Sequence, residues 1–317
     1  MSSEARAVLW RVSLAALAAA ALFALGRSGN SWAVMVLGPL VVTGVLAFAV
    51  RRPLEAYRAA RQPLDPEVLA VLKRHVPHFN GLDAAGQEAF ARRVARMLAT
   101  IEFETVKGAR DTLEMRVLSL AGAALLYVGR DDLHIDEHRS VIFYPDAFSH
   151  EYAVQHDARI AGMVHRQGPV LFSERALRDG WNHDSDGYNV SVHEWAHVLD
   201  LEDGFADGIP GLAPGSLAEE QEMLNHELVR VRGGRSVLRD YAGTNRAELF
   251  AVATEVFFER PELLRRSHST LYEVLSAWLR VDPIELLRKA GVAPTPVRQA
   301  GKRAQGKRKG AKKARAR

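Results

Sequence analysis

The chain contains no cysteine among its 317 residues. That excludes disulfides and any Cys-held zinc or iron–sulfur group, so a metal here must be held by His and carboxylates. It leaves the compartment open, because a chain without thiols suits either redox environment. Acidic residues are missing altogether from 286–317, which carries twelve Lys or Arg. They are scarce in 1–62, with two Glu against seven Arg. The whole chain is at +4, so the stretch between, 63–285, stands at −13. The globular part is therefore acidic and both ends are basic. The pI of about 9.4 belongs mostly to the tail. No internal repeat is present.

Polar side chains are nearly missing from two stretches near the start. Val8 to Gly26 is apolar if Arg11 is tolerated, and Ser31 to Val50 gives a second run of twenty residues. A spanning helix needs roughly 20 apolar residues, and Arg11 can snorkel from a helix end to the headgroups. We expect a transmembrane helical hairpin over 1–52, with spans at about 8–26 and 31–50. A cleaved signal peptide and a pair of core helices are the competing readings. Arg6 and Arg11 precede the first span, Arg51, Arg52, Arg58 and Arg61 follow the second, and the loop holds only Arg27. The positive-inside rule then puts the rest of the chain in the cytoplasm, at a bacterial inner membrane.

Residues 53–64 read as a linker, 65–290 as the folded domain and 291–317 as a basic tail of low complexity. The tail has no aromatic residue for base stacking, so its expected contacts are anionic lipid or non-specific nucleic acid. Within the domain, 65–99 has helical periodicity and 116–128 is an apolar segment suited to a buried helix. Val141–Tyr144 and Val170–Phe172 read as short strands, and Pro169 favours an edge position for the second. Longer helical patterns follow at about 187–202, 217–231, 245–259 and 270–289. The expected fold is α+β: a helical core, a small mixed sheet and a helical N-terminal portion.

The chemistry-bearing stretch is His193-Glu194-Trp195-Ala196-His197. Two histidines four apart share one helix face, one turn apart, and can offer two nitrogens to one ion. In that spacing the Glu beside the first His serves the metal-bound water and not the metal. Its neighbours Val190, Val192, Ala196, Val198 and Leu199 are apolar, so three ionisable groups there need a metal or partners. Two later glutamates, Glu248 and Glu255, share a face of another helix, about 10 Å apart along its axis, too far for one ion to take both. Glu248 also occupies the capping-box position after Asn245. Asp200 suits either orienting a ligand imidazole or bonding the next loop. Tyr241 suits a core position as well as a cleft. His183 and Asp184-Ser185-Asp186 read as an exposed turn.

The stretch Gly187 to Asp200, with Asp203-Gly204-Phe205-Ala206-Asp207-Gly208-Ile209-Pro210 after it, resembles the active-site helix and glycine-rich loop of the Mlc titration factor A (MtfA) peptidase family. Asp240 to Phe258 is similar to that family's second signature, with weaker likeness at Gln167 to Leu171 and Val141 to Phe148. The resemblance covers roughly 65–285 and leaves out the hairpin and the tail. It implies a zincin-like metallopeptidase of gluzincin type, related in its active site to the anthrax lethal factor catalytic domain. It also implies a Zn2+ cofactor and a peptide or protein substrate. By this resemblance His193, His197 and Glu248 match the metal ligands, Glu194 the general base, and Tyr241 a tyrosine facing the metal. Glu255 is then expected to receive the N–H of a ligand histidine. Trp195 departs from the smaller or phenylalanine side chains usual at its place and is expected to face away. The family's name comes from sequestering a transcriptional repressor, so a transcriptional regulator is a further expected partner, and a regulator-binding protein is the alternative to an enzyme.

Overall fold

A computed structural model of the chain describes residues 38–48, 51, 63–106, 108–130, 139–148, 160–165, 168–183, 185–211 and 216–293. The first expected membrane span, at about 8–26, lies outside them, as do the basic residues beyond 293. Of the second, at about 31–50, residues 38–48 are helical, and Leu40, Val41, Val42, Leu46 and Phe48 point into the open. Among the described residues no helix is long and apolar enough to cross a membrane.

The domain is α+β and mostly helical. Its N-terminal portion is α1 (Pro66–His75), α2 (Pro77–Asn80) and α3 (Ala84–Thr100). Asp65 and Asp83 cap α1 and α3 by accepting hydrogen bonds from Glu67 and Gly86 N–H, which satisfies amides left unpaired at a helix start. The single helical pattern read over 65–99 is thus three helices. Pro77 has no N–H to continue α1, and Gly81 lies so close to the Leu286 backbone that no Cβ fits. Helix α3 buries Phe90, Ala91, Val94 and Met97, a stripe at helical spacing.

Four strands follow in part: β1 (Glu102–Thr105), β2 (Ser140–Tyr144), β3 (Gly162–Val164) and β4 (Val170–Ser173), in the order β1-β2-β4-β3. The first two pairings are parallel and β3–β4 is antiparallel. The expectation of an edge position for the strand at Val170 is corrected here: β4 pairs on both sides, and β3 is the edge strand beside it, with β1 at the opposite edge. The reason is local. Pro169 precedes the first paired residue, so its missing N–H breaks no ladder bond, and its carbonyl still accepts from His165 N–H. Bonds at Ala161 and His165 turn those rungs toward β4, which leaves the peptide groups of Gly162 and Val164 on the outer edge.

The core is built on α4 (Leu113–Leu126), buried along nearly its whole length. It packs against α6 (Val190–Asp200), with α5 (Glu174–Asn182) beside it. Gly122 meets Ser191 so closely that a Cβ would collide with it. Ser191 Oγ bonds the Leu118 and Ser119 carbonyls at 3.0 Å, and Trp195 Nε1 bonds the Ser119 carbonyl at 2.6 Å. Trp195 thus faces the core, as expected, and its truncation to Ala would cost about 3–5 kcal/mol. The C-terminal half adds α7 (Leu217–Arg232), α8 (Arg246–Glu259), α9 (Pro261–Ser267), α10 (Ser269–Leu279) and α11 (Pro283–Lys289). Helix α8 is buried along most of its length and lies on α6.

Candidate metal centre

Helices α6 and α8 bring the site together. Asn189 caps α6 by accepting from Ser191 and Val192 N–H. Three consecutive amides before that helix are held by carboxylates of α8: Gly187 and Tyr188 N–H by Glu259, each at 2.9 Å, and Asn189 N–H by Glu255 at 2.7 Å. The two helices are therefore fixed relative to each other by these hydrogen bonds as well as by packing. Burial, with Asp186 and Glu255 nearby, pushes the Glu259 carboxyl up to about 9.

His193 and His197 face each other with Nε2 atoms 3.2 Å apart. Glu248 Oε2 stands 3.3 Å from the first and 3.4 Å from the second. Among the described residues these three make the one group of His and carboxylate side chains spaced to hold a metal ion. Glu248 Oε2 is buried and makes no hydrogen bond. A tetrahedral ion with bonds of about 2.0–2.1 Å has ligand–ligand edges of roughly 3.3–3.4 Å. The triangle matches that size, and the donor set of two imidazoles and a carboxylate suits zinc. Glu248 is not a capping-box side chain here: Asn245 caps α8 by accepting from Glu248 N–H at 2.8 Å, while the Glu248 carboxylate turns to the histidines.

Behind His193, its Nδ1 stands 2.6 Å from Glu255 Oε1. This is the arrangement that orients a ligand imidazole and raises its basicity. The same oxygen accepts from Arg239 at 2.6 Å. Burial draws the His193 imidazolium down, but the charge of Glu255, its bond to Nδ1 and the Glu248 carboxylate 3.3 Å from Nε2 outweigh it, and the ring is pushed up to about 10. Glu248 is held well below the usual carboxylate range; its partial burial opposes this, and the two histidines prevail. A cation at the three donors would favour the unprotonated form of both groups, reversing the shift at His193 and adding to that at Glu248.

Glu194 is buried on the same helix, and burial pushes its carboxyl up to about 7. It lies against β3, where a Cβ on Gly162 would sit 2.5 Å from Glu194 Oε1. Tyr241 comes from a 3-10 turn, Asp240–Gly243, and its ring centre is 6.1 Å from that of His193. It is half exposed, and partial burial with the charge of Glu248 pushes its phenol above the usual range, so it remains a donor. All five residues singled out in the sequence, with Glu255, line one cleft of about 670 Å³. Edge strand β3 forms one wall.

Asp200 takes the loop role: both its oxygens accept from Gly208 N–H, at 2.9 and 3.0 Å. His183 and Asp186 sit in the exposed turn expected for them, while Asp184 lies outside the described residues. The sequence reading missed Arg239, Glu259 and Gly162. Arg239 adjoins the Asp240–Tyr241 block, but nothing in its spacing marks it.

The model of the glucose-regulated metallo-peptidase M90 family matches residues 50–280. The chain belongs to this family. Its relatives include Mlc titration factor A of Edwardsiella ictaluri, 28% identical over 220 residues, covering 64% of this chain and 82% of that protein. Mlc titration factor A of Serratia proteamaculans is 26% identical over 232 residues, 68% and 87% of the two chains. An uncharacterized protein, slr2042, of Synechocystis is 27% identical over 241 residues, 71% and 87% of the two. Membership in the M90 family points to a metallopeptidase.

Proposed function

We propose that this M90 protein is a zinc-dependent peptidase of zincin-like, gluzincin-type fold. His193, His197 and Glu248 are its ligands, Glu194 its general base and Tyr241 a donor to the developing oxyanion. The observation that carries the reading is the triangle of Nε2, Nε2 and Oε2 atoms with edges of 3.2, 3.3 and 3.4 Å. Bound zinc supplies Lewis acidity toward a peptide carbonyl and toward water. Glu194 takes the proton of the attacking water and returns it to the leaving amine; burial makes it a competent base near neutrality. The Tyr241 phenol keeps its proton and donates to the carbonyl oxygen as charge develops there. An extended substrate lies along β3 and bonds the outward peptide groups of Gly162 and Val164 as an added strand.

The same proposal tethers the domain to the cytoplasmic face of a bacterial inner membrane through residues 8–26 and 31–50. Its basis is the apolar length and arginine asymmetry of the sequence. A reporter fused after Arg317 should be active as a cytoplasmic fusion and silent as a periplasmic one; the reverse pattern overturns the topology. The name of the two titration factors favours a second reading, a protein that binds a transcriptional regulator. Chelation and add-back separate the two readings. A peptidase loses turnover of a peptide library on zinc removal and regains it with one zinc per chain. A zinc-loaded chain that turns over no peptide favours the binding protein.

A further inference from the structure

We propose that Arg239 is a charge-balancing residue: by pairing with Glu255 it limits how strongly the site holds its metal, and so keeps His193 from donating too much to it. The inference rests on the ligand assignment above.

Three carboxylates line the cleft around the histidines: Glu194, Glu248 and Glu255. Among the described residues Arg239 is the one Lys or Arg that lines it. With all four ionised, the side chains sum to two negative charges, which a dication cancels. Arg239 is built into this role and is not loosely placed. Its Nη2 donates to Glu255 Oε1 at 2.6 Å, the oxygen that also faces His193 Nδ1 at 2.6 Å. Its guanidinium lies 4.7 Å from the centre of the Tyr188 ring, and Nη1 reaches the Gly187 carbonyl at 3.4 Å. Glu255 is fully buried while the Arg239 side chain keeps 30% exposure, so water reaches the pair only from the arginine's side and screens it in part.

Removing the cation leaves Glu255 uncompensated behind His193. The carboxylate then draws harder on the Nδ1 proton, the ring becomes a stronger donor and the metal is held more tightly and is less acidic. A clamp that merely fixed the geometry would behave in the opposite way, because its loss would loosen the metal.

The test is the rate at which zinc leaves the purified full-length protein into excess chromophoric chelator, for wild type, Arg239→Gln, Glu255→Gln, Arg239→Lys and the Arg239→Gln/Glu255→Gln pair. Arg239→Gln should release zinc roughly tenfold more slowly and turn over peptide roughly tenfold more slowly, with KM little changed. Glu255→Gln should release zinc faster. The pair, with charge balance restored, should return toward the wild-type release rate, and Arg239→Lys should stay near wild type. Faster release from both single variants, with the pair faster still, means a structural clamp and overturns the proposal. Equal release from all of them overturns it too. A wild-type protein that holds no zinc removes the ligand assignment itself, an outcome distinct from both.

Discussion

Glu255 Oε1 and His193 Nδ1 stand 2.6 Å apart inside a protein that leaves Glu255 no exposure to water. Seven residues earlier on α8, Glu248 puts an oxygen 3.3 Å from the other nitrogen of the same ring. One helix face thus grips both ends of one imidazole.

Two turns of α8 therefore divide the labour, and substitutions should separate it. Glu248→Gln removes a donor from the triangle and should lose most zinc affinity. Glu255→Gln keeps the triangle and should retain zinc with affinity about 10–100-fold weaker. Zinc titration of both variants decides. A zinc-free Glu255→Gln beside a zinc-loaded Glu248→Gln reverses the assignment.

Gly162 is expected to be intolerant for a reason of space. A Cβ there meets Glu194 Oε1 at 2.5 Å and Val190 Cγ2 at 2.7 Å. Gly162→Ala must push either the base or the edge strand aside. A 1 Å displacement at reacting groups costs up to about 10²-fold in rate. The expected result is a kcat reduced by about that order with zinc content unchanged. Wild-type kcat in this variant would mean that Glu194 does not act from the position seen here.

The helical frame, the buried α4 and the His193-Glu194-His197 motif were legible because periodicity and spacing are local properties of the chain, whereas Tyr241 and Glu248 were reached only through the family resemblance. The edge of the sheet was not. Pro169 carried a true local constraint, but the strand that flanks β4 comes from residues 162–164, where glycine and a three-residue length give no alternating pattern. Arg239 was invisible for a related reason: its partner Glu255 lies sixteen positions away, across a turn whose path only the fold reveals. The break of the 65–99 pattern follows from Gly81 meeting Leu286, a contact between the two ends of the domain.

Acid sensitivity should trace in part to His78, far from the metal ligands in sequence. Its Nε2 donates to the Phe258 carbonyl at 2.9 Å, while Nδ1 is buried without a partner, so a second proton has nowhere to go. Burial pulls this histidine down to about 4. The folded form stays neutral while the unfolded chain protonates near pH 6.5. Stability from this residue is therefore complete above pH 6.5 and is lost as pH falls toward 4, by about 3 kcal/mol in full. Urea unfolding of wild type and His78→Gln at pH 7 and pH 5 tests this. The wild type should lose about 2 kcal/mol more than the variant between the two; parallel losses would exclude His78 as the cause.

Whether Glu194 is the general base is decided by Glu194→Ala, assayed for zinc and for peptide hydrolysis in the same preparation. Glu194 lies beside the donor triangle and supplies none of its three atoms. The variant should therefore bind one zinc per chain like the wild type and lose turnover by at least about 10²-fold, the contribution expected of a general base. Full hydrolysis by zinc-loaded Glu194→Ala would contradict the account.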